Sequence, residues 1–79
     1  MLTHQDIRLL EFEERNPRHT PAKVQAVRNL LGMTTNRYYE RLEWLARRRE
    51  VATGYPRIAA RMARRVEARH DRERFPRAA

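Results

Sequence analysis

The chain contains no cysteine, so neither a disulfide framework nor a thiolate metal site can hold it together, and a small disulfide-stapled secreted scaffold is excluded. It also lacks any apolar run near the roughly 18 residues that span a bilayer. The opening MLTHQDIRLLEFEE does not follow the basic, apolar, small-residue order of a signal peptide, and a cytoplasmic location is expected. No stretch alternates polar and apolar residues as a half-buried strand would, and only two glycines are available for turns. Length limits the rest. A chain of 79 residues forms one domain that buries about 60% of its unfolded surface, too little for a second domain or a deep catalytic cleft.

What the sequence has instead is positive charge. The formal net charge is +8 and the pI near 11.4, which favours a polyanionic partner. Residues 1–40 carry a net +1 and residues 41–79 a net +7, so the second half is the electrostatic handle. Lys23 is the sole lysine among 18 basic residues. Arginine's planar fork suits bidentate contact with phosphates and guanine edges. A GC-rich coding preference would give the same arginine-to-lysine ratio, but not the net charge.

Punctuation along the chain predicts an all-α domain of four helices, at about residues 4–15, 21–31, 35–49 and 57–70. Thr3 followed by Asp6 opens the first helix as a capping box, and Asn16-Pro17 closes it. Its apolar residues Ile7, Leu9, Leu10 and Phe12 spread around the circumference, as in a helix that lies across others. Glu11, Glu13 and Glu14 read as a solvated face turned away from any polyanion. Thr20-Pro21 is an N-cap followed by proline at the first helical position. The second helix then repeats Val24, Val27 and Leu31 with Leu30 alongside, a narrow buried stripe ending at Gly32.

Thr34 caps the third helix, whose core face comprises Tyr38, Leu42, Leu45 and Ala46 with Tyr39 at its border. Arg37, Arg41, Trp44 and Arg48 form one opposite stripe, and Asn36, Glu40, Glu43 and Arg47 another. VATGYP reads as a linker. The fourth helix repeats Ile58, Met62 and Val66 beside Ala59 and Ala63, with arginines on the adjoining face. Residues 1–70 make up the domain, and 71–79 a basic tail expected to fray.

A helix with an apolar stripe, a glycine turn, an apolar corner residue and a capped second helix is the arrangement of a helix-turn-helix. Gly32 permits the tight turn, Met33 fills the corner, and Val27, Leu31, Tyr38 and Leu42 lock the angle. In such a unit the second helix enters the major groove by its N-terminal residues, here Thr34, Thr35, Asn36, Arg37, Tyr39, Glu40 and Arg41. Thr34 and the free N–H groups of the first turn suit a phosphate, Asn36 can read adenine, and Arg37 or Arg41 can read guanine. Arg47, Arg48, Arg57, Arg61 and Arg65 are expected to clamp phosphates. With about six phosphates neutralised, log K against log[salt] would slope near −5. Arg28 stands where many such units place a small residue, so the crossing widens or the arginine stem snorkels outward.

FEER, AKVQAVRNLLGMTTNRYYERLEWL and YPRIAARMARRVEARHDR resemble a family of small actinobacterial and actinophage helix-turn-helix proteins catalogued as a domain of unknown function. The resemblance covers about residues 5–72 and is most specific at Thr35–Leu42. This chain departs from the pattern at Asn16-Pro17-Arg18, where a tryptophan pair is common, and at Arg47–Glu50, where an acidic residue and a proline are usual. The resemblance implies an actinobacterial or phage origin and a DNA-binding fold, without an established activity.

The expectation is therefore a sequence-specific regulator that binds double-stranded DNA in the bacterial cytoplasm or a phage-infected cell, as a homodimer on half-sites. The rival is an adaptor that occupies an acidic host protein such as RNA polymerase, favoured by Glu40 and Glu43 on the presented helix. Trp44, among arginines, is expected to be covered by the last helix or a second copy of the chain, and if bare to mark a partner surface. His4, His19 and His70 have no partner at ligand spacing, so no metal or cofactor is expected. Tyr38 and Tyr39 beside two arginines suggest a recombinase-type nucleophile, but the chain is too short for that catalytic domain, and no enzyme is expected. Tyr38 is assigned to the core and Tyr39 to the groove edge. The last helix carries too narrow an apolar face to favour a membrane surface over packing on the domain.

Overall fold

In the computed structural model, which describes residues 1–74, five helices follow one another: α1 (His4–Arg15), α2 (Pro21–Leu31), α3 (Thr35–Ala46), α4 (Arg49–Gly54) and α5 (Pro56–Arg74). The caps act where the residue types placed them. Thr3 Oγ1 accepts the Asp6 N–H at 3.0 Å while Asp6 Oδ2 accepts the Thr3 N–H at 3.1 Å, a reciprocal capping box. Thr20 Oγ1 accepts the Lys23 N–H at 3.1 Å, and Thr34 Oγ1 the Arg37 N–H at 3.2 Å. Asn16 ends α1 just before Pro17.

Gly32 ends α2 at φ 65°, with its N–H on the Arg28 carbonyl at 3.1 Å. A Cβ there would meet nothing within 4 Å, so the left-handed backbone, not crowding, calls for glycine. Two residues later Thr34 starts the next cap, and α2 and α3 remain separate rods held at a turn.

The last part of the chain differs from the sequence reading. The third helix stops at Ala46 rather than near 49, and the end of that expected helix together with most of the expected linker forms α4, a six-residue helix that buries Val51 completely. One turn and a half is too short to show an apolar period, and a single valine gives none. The last helix runs to Arg74 rather than 70. The basic tail assigned to 71–79 falls in part on residues 75–79, which lie outside the described residues.

α3 packs against each of the other four helices and forms the middle of the domain. Leu9, Leu10, Val27, Val51, Ile58 and Met62 from the other helices close around its Tyr38, Leu42 and Leu45, each with at most 3% of its surface exposed. Each large aliphatic side chain so buried contributes about 1.5–3 kcal/mol. Phe12 meets Tyr38 edge to face at 5.9 Å, and Tyr38 meets Tyr39 the same way at 5.1 Å.

The expected stripe of α2 is only partly realised. Val27 is buried, Leu31 half-buried, but Val24 and Leu30 are 36% and 62% exposed. The inward register of α2 runs through Lys23 and Val27 instead, because the Lys23 ammonium has a carboxylate waiting inside. Arg28 is exposed, as outward snorkelling requires.

Candidate functional site

The carboxylate inside is Glu13, only 1% exposed. The sequence reading placed it on a solvated face with Glu11 and Glu14, and the structure corrects this. Asp6, Leu9, Leu10 and Glu13 share the buried face of α1, spaced at i, i+3, i+4 and i+7. Glu13 Oε1 accepts from Lys23 Nζ and from the Tyr38 hydroxyl, each at 2.7 Å, and Oε2 accepts from Arg61 Nη2 at 3.1 Å. Burial, and then the Glu13 carboxylate itself, push the Tyr38 phenol far above its usual range. Tyr38, fully buried, serves there as a hydrogen-bond donor to Glu13.

These contacts sort the basic residues into engaged and open. Arg61, expected on phosphate, is tied to Glu13. Arg65, also expected there, lies 4.1 Å over the Tyr39 ring and donates to Glu43 at 3.4 Å. Arg69 adds two bonds to Glu43 at 2.9 and 3.1 Å. Arg61, Arg65 and Arg69 recur every four residues on α5, so one stripe of that helix is turned onto α1 and α3 carboxylates rather than outward. Tyr39 is likewise no groove-edge contact: it is 6% exposed, with its hydroxyl 3.0 Å from His19 Nδ1.

What remains outside is the leading end and outer ridge of α3. Thr34, Asn36, Arg37 and Glu40 are exposed, and Thr35 is half-buried. Arg37, Arg47 and Arg57 are exposed and form no ion pair among the described residues. Farther along the ridge Trp44 is 41% exposed, with the Arg41 guanidinium 4.3 Å and the Arg48 guanidinium 5.1 Å from its ring. Each of these arginines is held by a carboxylate, Arg41 by Asp6 and Arg48 by Glu50. Trp44 also borders a groove of about 450 Å³ between α3 and α5, lined by Ala46, Ala59, Met62, Ala63 and Val66 among others. The last helix therefore flanks the indole without covering it.

Asp6 and Glu43, which fasten the two sides of α3, are held in the ionised form. Burial pushes the Asp6 carboxyl up, but the hydrogen bonds from Arg41 and Thr3 outweigh it and leave it below the ordinary range. Hydrogen bonds from Arg69 do the same for Glu43 against a smaller effect of burial. A carboxylate whose folded pKa is depressed stabilises the fold fully above its unfolded value, about 3.9 for Asp and 4.3 for Glu. That contribution is lost as pH falls through the folded value. The thermal midpoint followed by circular dichroism should thus drop on acidification below about pH 4, and less steeply in Glu43→Gln than in the parent.

The signal that would have found the buried charges was present but reads two ways. Lys23 keeps the four-residue spacing to Val27 and Leu31, and Glu13 the same spacing to Leu9. A charged residue in an apolar register is either the end of the stripe or a buried partner, and the partner of Glu13 lies 10, 25 and 48 residues away in Lys23, Tyr38 and Arg61.

Among the described residues no helix is long and apolar enough to cross a membrane. Residues 1–75 match DUF3263, a family described as proteins of unknown function, and the chain belongs to that family. Comparison with curated proteins and with solved structures gives no match.

Proposed function

We propose that α2, the Gly32 turn and α3 form a helix-turn-helix, and that the leading end of α3 enters the major groove of double-stranded DNA as part of a small transcriptional regulator. The observation that carries this reading is the exposed set Thr34, Asn36 and Arg37, with no ion pair to Arg37 among the described residues, at the start of a helix whose other side is packed. The net charge of +8 supports it. Arg37 approaches bases or the adjoining phosphate, Asn36 an adenine edge, and the first-turn amides a phosphate. Arg47, Arg57 and the outer nitrogens of Arg48 hold the backbone. One such helix contacts few base pairs, so a two-fold dimer on half-sites about 34 Å apart supplies the specificity.

A second reading, an adaptor on an acidic host protein such as RNA polymerase, draws support from the exposed Glu40 and from Trp44 beside its groove. A carboxylate on the groove-facing ridge costs DNA affinity unless it meets a cytosine amine. Selection of bound fragments from random duplex DNA, followed by titration of Arg37→Ala, separates the two. The DNA reading expects an enriched sequence and a loss of about tenfold in affinity for it on losing a charged contact. Recovery of no sequence, with retention on duplex DNA unchanged by Arg37→Ala, would leave the adaptor.

A further inference from the structure

Arg41 is held differently from every other arginine on the α3 ridge. Its Nε donates to Asp6 Oδ1 at 3.0 Å and its Nη2 to Asp6 Oδ2 at 3.2 Å, so one edge of the guanidinium is fixed by a bidentate pair. Its face is fixed as well, 4.3 Å from the Trp44 ring. Trp44 in turn is steadied by Arg48, whose Nε is held by Glu50 at 2.9 Å. The Asp6 side chain is 4% exposed and cannot swing out, whereas the Arg41 side chain is 40% exposed. The edge left over, Nη1 together with the outer hydrogen of Nη2, is a fork that points away from Asp6 and makes no hydrogen bond among the described residues.

A long side chain normally loses conformational freedom when it binds, and a fork whose plane and direction are already set loses little. Such a fork matches two acceptors side by side. A phosphate offers acceptors in several directions and can be met by a fork from many angles, while the N7 and O6 atoms of guanine lie in one plane at one angle and reward a fixed aim more. Arg37, one turn earlier on the same stripe and without a brace, has the freedom a phosphate contact tolerates.

We infer that Arg41 is the residue with which α3 reads a guanine, and that Asp6 and Trp44 are positioning residues that aim its fork. The inference rests on the proposal that α3 enters the major groove. It adds that the first helix, through Asp6, sets specificity without touching DNA.

The test uses the duplex recovered by selection and copies in which single guanines are replaced by 7-deazaguanine, which removes the N7 acceptor and leaves every phosphate in place. For the unaltered protein one replacement should weaken binding about tenfold or more, within the discrimination of a good bidentate pair. Arg41→Ala should abolish that ratio. Asp6→Asn and Trp44→Leu should shrink it while binding to the 7-deazaguanine duplex stays within about twofold of the parent, which a merely structural role would not produce. Arg37→Ala should lower affinity for both duplexes and leave the ratio intact. Because Asp6 also caps α1, folding of each variant is checked by circular dichroism, and the exposed Trp44 carries the test if Asp6→Asn does not fold. If the parent binds the selected duplex but no guanine replacement matters, or the ratio survives Arg41→Ala, the role of Arg41 is refuted and the groove reading stands. If the parent enriches no duplex and binds none, both are refuted.

Discussion

Glu13→Ala should destabilise the domain by about 3–5 kcal/mol, the loss that follows when one partner of a buried ion pair is removed. A domain of this size has a total stability of about 4–12 kcal/mol, so much of it would go with one side chain. The reason is geometrical. Among the described residues Glu13 is the single side-chain acceptor for the Lys23 ammonium, the Tyr38 hydroxyl and one Arg61 nitrogen, and Lys23 is only 3% exposed. Without the carboxylate the buried Lys23 ammonium and the Tyr38 phenol lose their acceptor and the half-buried Arg61 loses its partner, and Arg61 Nε, buried without a partner among the described residues, gains no relief. Glu13→Gln keeps the shape but brings amide donors against arginine donors, so its loss should be nearly as large.

Replacing the partners together should behave otherwise. Glu13→Leu combined with Lys23→Met, Tyr38→Phe and Arg61→Met removes the charges and the hydroxyl as a group, and an apolar cluster of similar volume is often neutral or stabilising relative to the ion pairs it replaces. Urea melts of the single and quadruple variants, read by circular dichroism, give both numbers. A single-variant loss under about 1 kcal/mol would mean that water reaches Glu13 and that the cluster is not a structural element.

The second large effect is on affinity. Under the DNA-binding proposal, Arg37, Arg47, Arg57 and the outer nitrogens of Arg48 neutralise about four phosphates, because Arg61 and Arg65 are engaged with Glu13 and Glu43. Log K against log[salt] should then slope about −4 rather than the −5 that the sequence alone suggests. Between 50 and 200 mM salt the affinity should fall on the order of 100-fold. Fluorescence anisotropy of a labelled duplex measures it. An affinity indifferent to salt contradicts the phosphate clamp outright. A slope steeper than about −6 would mean that the α5 arginines leave their carboxylates for DNA, which is expected to loosen α5 from α3 at the same time.

The parts of the molecule that were legible beforehand are those controlled by neighbours in sequence. Thr3 with Asp6, Asn16 before Pro17, Thr20 before Pro21, Gly32 and Thr34 each act on backbone groups within four residues, so residue type and spacing suffice to place the helix ends. The core face of α3 was legible for a related reason: Tyr38, Leu42 and Leu45 repeat across about two turns, enough to show a period. Neither condition holds for α4, whose six residues complete fewer than two turns, nor for the outer half of α2, where an apolar stripe met too little of the domain to be covered.

The sequence by itself therefore determined an all-helical chain, its first two helices and the start of the third, the turn at Gly32 and a strong positive charge, all of them consequences of local backbone chemistry and composition. Only the tertiary structure decided which charges are available. Asp6 took the edge of Arg41 and left its fork outward, Glu13 drew in Lys23 and Arg61, and Glu43 collected Arg65 and Arg69. Coulomb attraction and desolvation depend on distance in space, and these partners stand 10 to 48 residues apart along the chain, where no periodicity can report them.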